Sequence, residues 1–218
     1  MTAEMLSNYD IVLCSRIGMI QANRIAEAMK GSGGKFYMVD CFGWMGTAVM
    51  DLGPNYEYRK EQGKKKGELL SEVLKLEPYV PLEEIWKVPL NDLKMKRIER
   101  GQPPLVWTSY LALLSYHAAK NGTWPSPTSD DFEAFCKEEW EQKDHHEVIT
   151  DYSALAKVAL AEVSPVCAIL GGVMGNEVIK AISGKGEPAN NVILLNALDG
   201  KCRYILCNKK KEETNKEG

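Results

Sequence analysis

Apolar residues in this chain fall into two patterns: short unbroken runs bounded by glycine, and longer stretches in which they return every three or four positions. YDIVLC, residues 9–14, and KFYMVDC, residues 35–41, are unbroken runs of the kind that suits strands covered on both faces. Between them, Arg16 to Lys30 carries Ile17, Ile20, Ile25, Ala26 and Met29 at roughly helical spacing and stops at Gly31-Ser32-Gly33-Gly34. Residues 9–41 therefore predict a parallel βαβ unit. In FGWMGTAVMDLG, Gly43 and Gly46 bracket two bulky residues and read as a sharp loop before another strand. Residues 54–75 turn charged and lysine-rich, as a surface loop or insertion would, and YVPLEEIWKVPL predicts a short edge strand between its prolines. Helical character then dominates over 91–100, 105–120, 129–142 and 147–163. Asn191 to Leu195 and Lys201 to Cys207 read as strands joined around Asp199-Gly200, a hairpin signal, and the tail over 208–218 is polar.

The longest helical pattern is SPVCAILGGVMGNEVIKAIS, residues 164–183, which predicts a central buried helix. Ser164 suits the N-cap, Pro165 the first helical position and Gly184 a left-handed C-cap. Val166, Ile169, Leu170, Val173, Met174 and Ala181 form a bulky face, while Ala168, Gly171, Gly172 and Gly175 gather opposite. Interior glycines each cost a helix about 1 kcal/mol relative to alanine, so a backbone, of this chain or a partner, is expected close to the small face. Glu177 lies within the bulky arc. An unpaired carboxylate there is costly, so a backbone N–H or an arginine is expected beside it.

Composition narrows the picture. The chain has 218 residues, 44% of them apolar, enough for one domain with an insertion. A net charge of −3 gives no reason to expect nucleic acid or an anionic membrane, and the lysine runs at 64–66 and 209–211 read as solvated. No apolar run approaches the roughly 20 residues of a membrane span. The six cysteines form no C-x-x-C pair and are expected as buried thiols; His145, His146 and Cys136 make no closed metal set. The glycines at 31–34 follow a helix and open a strand, the reverse of a phosphate loop.

Residues 165–183, P-V-x-A-x-x-G-G-x-x-x-x-E-x-x-K-A-x-S, with the following Pro, N-N, strand and D-G, resemble the C-terminal signature of enzymes that activate ubiquitin-like proteins, the ThiF-like adenylation family. Together with YDIVLCSR and KFYMVDCFGWMG the likeness spans most of residues 9–207. Within the family it is strongest to small, non-catalytic subunits of SUMO-activating enzymes. The resemblance implies an α/β fold: a partial doubly wound, Rossmann-like sheet with a helical block and a C-terminal β-hairpin. It places a pseudo-adenylation domain over 1–207, incomplete at its N-terminal side, with a variable insertion at about 54–90.

Active members carry an A-L-D-N-like sequence after the strand matching DIVLC, and its Asp helps to hold ATP; here Cys14-Ser15-Arg16 stands in that place. The resemblance thus implies a scaffold with no catalytic or metal residues of its own and no cofactor bound by this chain alone. Mg-ATP would sit in a larger catalytic subunit, and a SUMO-like modifier would be met through that complex, in nucleus and cytoplasm. Gly43, Gly46, Gly171, Gly172, Gly175 and Glu177 are the structural or subunit-interface candidates. Arg16, at the carboxyl end of a strand, is expected to make only a surface ion pair. If the sheet begins at a strand normally found in its middle, DIVLC and KFYMVDC should be uncovered along an edge. The alternatives are an inactive adenylation half of another such enzyme, or an independent nucleotide-binding Rossmann-like enzyme.

Overall fold

A computed structural model describes residues 2–62, 69–89, 93, 105–140 and 149–207. After a short helix α1 (Ala3–Leu6), strand β1 (Ile11–Cys14), helix α2 (Met19–Ser32) and strand β2 (Lys35–Phe42) form the expected parallel βαβ unit. Gly33 ends α2 in the left-handed conformation, φ 78°, with its N–H on the Lys30 and Met29 carbonyls. Strand β3 (Met45–Asp51) turns back antiparallel to β2, and β8 (Val192–Asn196) and β9 (Lys201–Ile205) add a hairpin, giving the order β1-β2-β3-β8-β9. The Asp199-Gly200 turn is as predicted, with Gly200 at φ 66° and the Asp199 carboxylate accepting the Lys201 N–H at 2.9 Å.

Helices cover both faces of this sheet, so two apolar clusters form. Phe36, Met38 and Phe42 point to one side, where α2 and α4 (Leu105–Ala119) pack; Tyr37, Cys41, Ala48 and Met50 point to the other, where α7 (Ser164–Ser183) lies. Helix α4 is apolar around its whole circumference because α2, β3, β8 and the helical layer enclose it. The arrangement is a partial doubly wound α/β domain with a mixed sheet and a C-terminal hairpin.

Several predicted elements differ. In the region read as an insertion, β4 (Glu57–Tyr58) pairs with β7 (Leu74–Lys75) and β5 (Glu61–Gln62) with β6 (Leu69–Leu70). Residues 79–89 do not form an edge strand. Pro81 is instead the extended residue before a short helix α3 (Leu82–Ile85), and the Leu82 N–H donates to Asp51 at 3.1 Å. The helix expected over 129–142 is α5 (Asp131–Phe135) running into a π-helical stretch, Cys136–Trp140. Of the one expected over 147–163, the described residues form only α6 (Tyr152–Val158), capped by Asp151, which accepts the Ala154 N–H at 2.8 Å. It stops because residues 159–163 cross the end of β2, where the Gly43 N–H donates to the Ala161 carbonyl at 2.8 Å. The helix read over 91–100 and both His145 and His146 fall outside the described residues, as does the tail.

Helix α7 departs furthest from expectation. Val163, extended, is its cap, so Ser164 and Pro165 occupy the first two helical positions; Gly184 closes it at φ 63° with its N–H on the Lys180 carbonyl. It is not a buried central helix, since among its residues only Val166, Leu170, Met174 and Glu177 are buried. By length and composition it is the one helix among the described residues able to cross a membrane, which corrects the reading that no stretch comes close. Its isoleucines, valines, leucine, methionine and alanines raise the mean hydropathy, although Asn176, Glu177 and Lys180 break the apolar run. At one edge of the sheet β1 pairs, among the described residues, only with β2; Leu13 is 50% exposed, while Ile11, Val12 and Cys14 are half-buried. KFYMVDC is not uncovered: Phe36, Tyr37 and Met38 are wholly buried.

One packing contact involves a partly buried imidazole. The His117 ring lies against the start of α2, so that a Cβ on Gly18 would stand 2.3 Å from Nδ1, and it meets the Trp124 ring at 4.4 Å. Burial lowers its pKa from the ordinary 6.5, against a smaller opposing effect of Asp40. Below that value the unfolded chain takes up the proton more readily than the folded one. Stability is therefore full above about pH 6.5 and falls as the pH drops through the lowered folded value. In urea titrations between pH 5 and 7.5, His117→Gln is expected to show a flatter dependence on pH than the parent chain.

Candidate functional site

The carboxyl ends of β1 and β2 are where an open α/β sheet of this kind receives a ligand. Here they are filled by the chain's own side chains. Asp40, 2% exposed, is the centre. Its Oδ1 accepts from Ser15 Oγ at 3.2 Å and from the Arg16 N–H at 2.6 Å, and its Oδ2 accepts from the Tyr110 hydroxyl at 2.5 Å. Arg16 adopts φ 58°, a left-handed conformation that costs a non-glycine residue about 1–2 kcal/mol. That turn aims its N–H at Asp40 and sends its guanidinium across the strand ends, where it donates to the Ala159 carbonyl at 2.7 Å and to the Cys41 carbonyl. Arg16 Nε also lies 3.7 Å from Glu162. Burial, and then the neighbouring Asp40 charge, raise the Tyr110 phenol well above its usual pKa, so it stays a donor at physiological pH.

The expectation of a mere surface ion pair at Arg16 is thus corrected. The residue is half-buried and joins three segments distant in sequence. Asp40 and Tyr110 were not singled out from the sequence. The available signal was a carboxylate inside an apolar strand run, which needs donors, and a tyrosine in a helix apolar on every side.

The six candidates separate into distinct roles. Gly43 makes the β2–β3 turn at φ 61°, and a Cβ there would meet Val158 Cβ at 2.8 Å. Gly46 is not part of that loop. It sits inside β3 opposite Cys41, and its missing side chain admits α7, whose Leu170 Cδ2 would lie 3.0 Å from a Cβ. Glu177, 1% exposed, faces the sheet, pairs with Lys180 Nζ at 2.7 Å and accepts the Ala189 N–H at 2.8 Å. It has the backbone donor its position demanded, its cation is Lys180 rather than an arginine, and both contacts are structural.

Gly171, Gly172 and Gly175 behave differently from the expectation of close packing inside the chain. Each has open space where a Cβ would be. They share an uncovered face of α7 with Ala168 and with Ile169, Ile179 and Ile182, which are 49%, 63% and 73% exposed; Ile169, expected in the buried face, is outside it. The structure therefore brings Gly43, Gly46 and Glu177 to the buried side of α7 or its approach and leaves the three helix glycines on the open side.

Fold and site together define a partial doubly wound α/β domain whose strand end is closed by its own residues and whose longest helix is half uncovered. No family model matches the chain. It is 32% identical over 175 residues to SUMO-activating enzyme subunit 1B-1 of Arabidopsis thaliana, covering 76% of this chain and 49% of that protein. SUMO-activating enzyme subunit 1 of Xenopus tropicalis is 25% identical over 214 residues, 86% of this chain and 60% of its own length. A stretch of 40 residues is 55% identical to subunit 1A of Arabidopsis thaliana, 18% of this chain and 12% of that one. Over most of its own length the chain is similar to SUMO-activating enzyme subunit 1 proteins, and it spans about half the length of the plant relatives it matches.

Removing the Arg16 side chain deletes two charge-assisted hydrogen bonds to carbonyls in a half-buried setting, each of a kind worth roughly 1.5–3 kcal/mol. Arg16→Ala is therefore expected to destabilise the chain by about 2 kcal/mol, not a few tenths, in chemical denaturation. Arg16→Lys should recover only part of this, because one ammonium cannot reproduce the forked geometry.

Proposed function

We propose that this chain serves as the non-catalytic subunit of a SUMO-type activating enzyme. It docks through the open face of α7 onto a larger subunit, which holds Mg-ATP, adenylates the carboxyl terminus of the modifier and passes it to a cysteine. The observation that carries this reading is the uncovered face of α7 in a chain similar to these subunits: exposed isoleucines flank a group of glycines that let another backbone approach. The filled strand end supports the same division of labour, since the space beside β1 and β2 is taken by Arg16 and by the donors of Asp40.

The assignment separates folding from docking. Among the described residues Gly172 has nothing within 4 Å of a Cβ, so Gly172→Leu starts into open space and gains helix propensity. Its thermal midpoint is expected to match or slightly exceed that of the parent. In co-purification with the larger catalytic subunit the same substitution should weaken the complex at least tenfold, with a parallel loss of modifier thioester formation. Undiminished complex formation by Gly172→Leu would remove α7 as the docking face. Tight ATP binding by the isolated chain in calorimetry would overturn the placement of the nucleotide in the partner.

A further inference from the structure

We propose that Cys41 and Cys167 form a redox-modification site, a thiol pair that hydrogen peroxide converts into a disulfide tying β2 to the first turns of α7. The register of the sheet places them. Tyr37, Val39 and Cys41 occupy alternate positions of β2 on the side that α7 covers, and Cys41 is the cross-strand partner of Gly46. A Cβ on Gly46 would stand 3.0 Å from Leu170 Cδ2 and 3.5 Å from Val166 Cγ1, so the first turns of α7 lie directly above that cross-strand pair. Cys167 follows Val166 on the helix and packs into the same cluster as Cys41. The two thiols are electrostatic and hydrogen-bonding neighbours.

Their environments differ in a way that orders the chemistry. Cys41 is buried, and that burial, followed by the interaction with Cys167, pushes its thiol up to about 12, so little thiolate exists there at neutral pH. Cys167 is half-exposed and meets the oxidant first. Its sulfur attacks peroxide, the O–O bond breaks, an S–O bond forms, and water leaves with the thiol proton, giving a sulfenic acid. The Cys41 sulfur then attacks the Cys167 sulfur, the S–O bond breaks, and the departing hydroxide takes the Cys41 proton as a second water. Two thiols supply the two electrons that reduce one peroxide to two waters.

The other cysteines lie elsewhere. Cys14 packs with the cluster on the opposite side of the sheet, Cys136 and Cys207 are buried in that same cluster, and Cys202 is on β9, with β3 and β8 between it and β2. The site is therefore specific to one pair and does not depend on the proposed subunit role.

The test exposes the reduced, desalted full chain to low-millimolar hydrogen peroxide, alkylates remaining thiols under denaturing conditions, and maps peptides without reductant. A Cys41–Cys167 linked peptide, two hydrogens lighter than its parts and released by dithiothreitol, is expected; it should be missing from Cys41→Ser and Cys167→Ser. Cys41→Ala provides the same comparison should the serine at that buried position impair folding. In either Cys41 variant, Cys167 should proceed to the sulfinic acid faster than in the parent, having lost its resolving thiol. Recovery of Cys41 and Cys167 as separately alkylated peptides from the treated parent would overturn the proposal. So would equal rates of Cys167 sulfinic acid formation with and without Cys41.

Discussion

The buried carboxylate of Asp40 is the constraint on which the arrangement of this domain depends. Removing a charge from water costs several kcal/mol unless donors replace the lost solvent, so each donor to Asp40 must hold its place. Those donors come from the turn between β1 and α2 and from α4. One side chain thereby fixes the parallel βαβ unit to a helix that begins more than sixty residues later in the chain. The left-handed turn at Arg16 is tolerable for the same reason. Its cost of about 1–2 kcal/mol is offset by a hydrogen bond to a carboxylate, which alone is worth roughly 1.5–3 kcal/mol.

From Asp40 the constraint passes to α7. Arg16 and the turn at Gly43 hold residues 159–162, which lead into the helix. Its far end is secured independently, by Glu177 on the Ala189 N–H, by the Tyr56 hydroxyl on the Lys180 carbonyl at 3.3 Å, and by the Arg59 N–H on the Gly184 carbonyl at 2.8 Å. The short strands of the 54–90 region thus have a role that their charged composition conceals, since Tyr56 and Arg59, on either side of β4, tie down the C-terminus of α7. With both ends pinned and one edge seated on Gly46, the helix is held rigidly while its outer face stays open.

How much of this could be read in the residues follows from the range of the interactions. Strands β1, β2, β8 and β9, helices α2 and α4 and the Gly184 cap are encoded by local runs, periodicity and turn chemistry, and they stand where those signals placed them. Glu177 was legible as a carboxylate in need of partners because helical periodicity alone put it among apolar residues. The Arg16–Asp40–Tyr110 network was not, because its members are brought together only by the β1–β2 pairing and the seating of α4. Helix α6 was overestimated because the demand that residues 159–163 cross the strand end is tertiary. The burial of α7 was misjudged for another reason. An apolar sequence reports that a face prefers to leave water, and it does not report whether the chain itself supplies the cover.

That distinction gives the open face its physical meaning. Exposed isoleucines at 169, 179 and 182 forgo a burial gain of roughly 25 cal/mol for each Å² they would lose to water, and the interior glycines add a conformational cost. Neither is compensated by any neighbour in the described residues. A flexible helix would regain little on association, since much of the gain would be spent on ordering it. Helix α7 is already ordered by contacts at both ends, so a surface that packs against it loses almost no conformational freedom on this side. The glycines then act in the opposite sense to their cost in the isolated helix. Without side chains between the two backbones, the isoleucines can be enclosed from both flanks, and close approach turns a locally unfavourable sequence into a favourable contact.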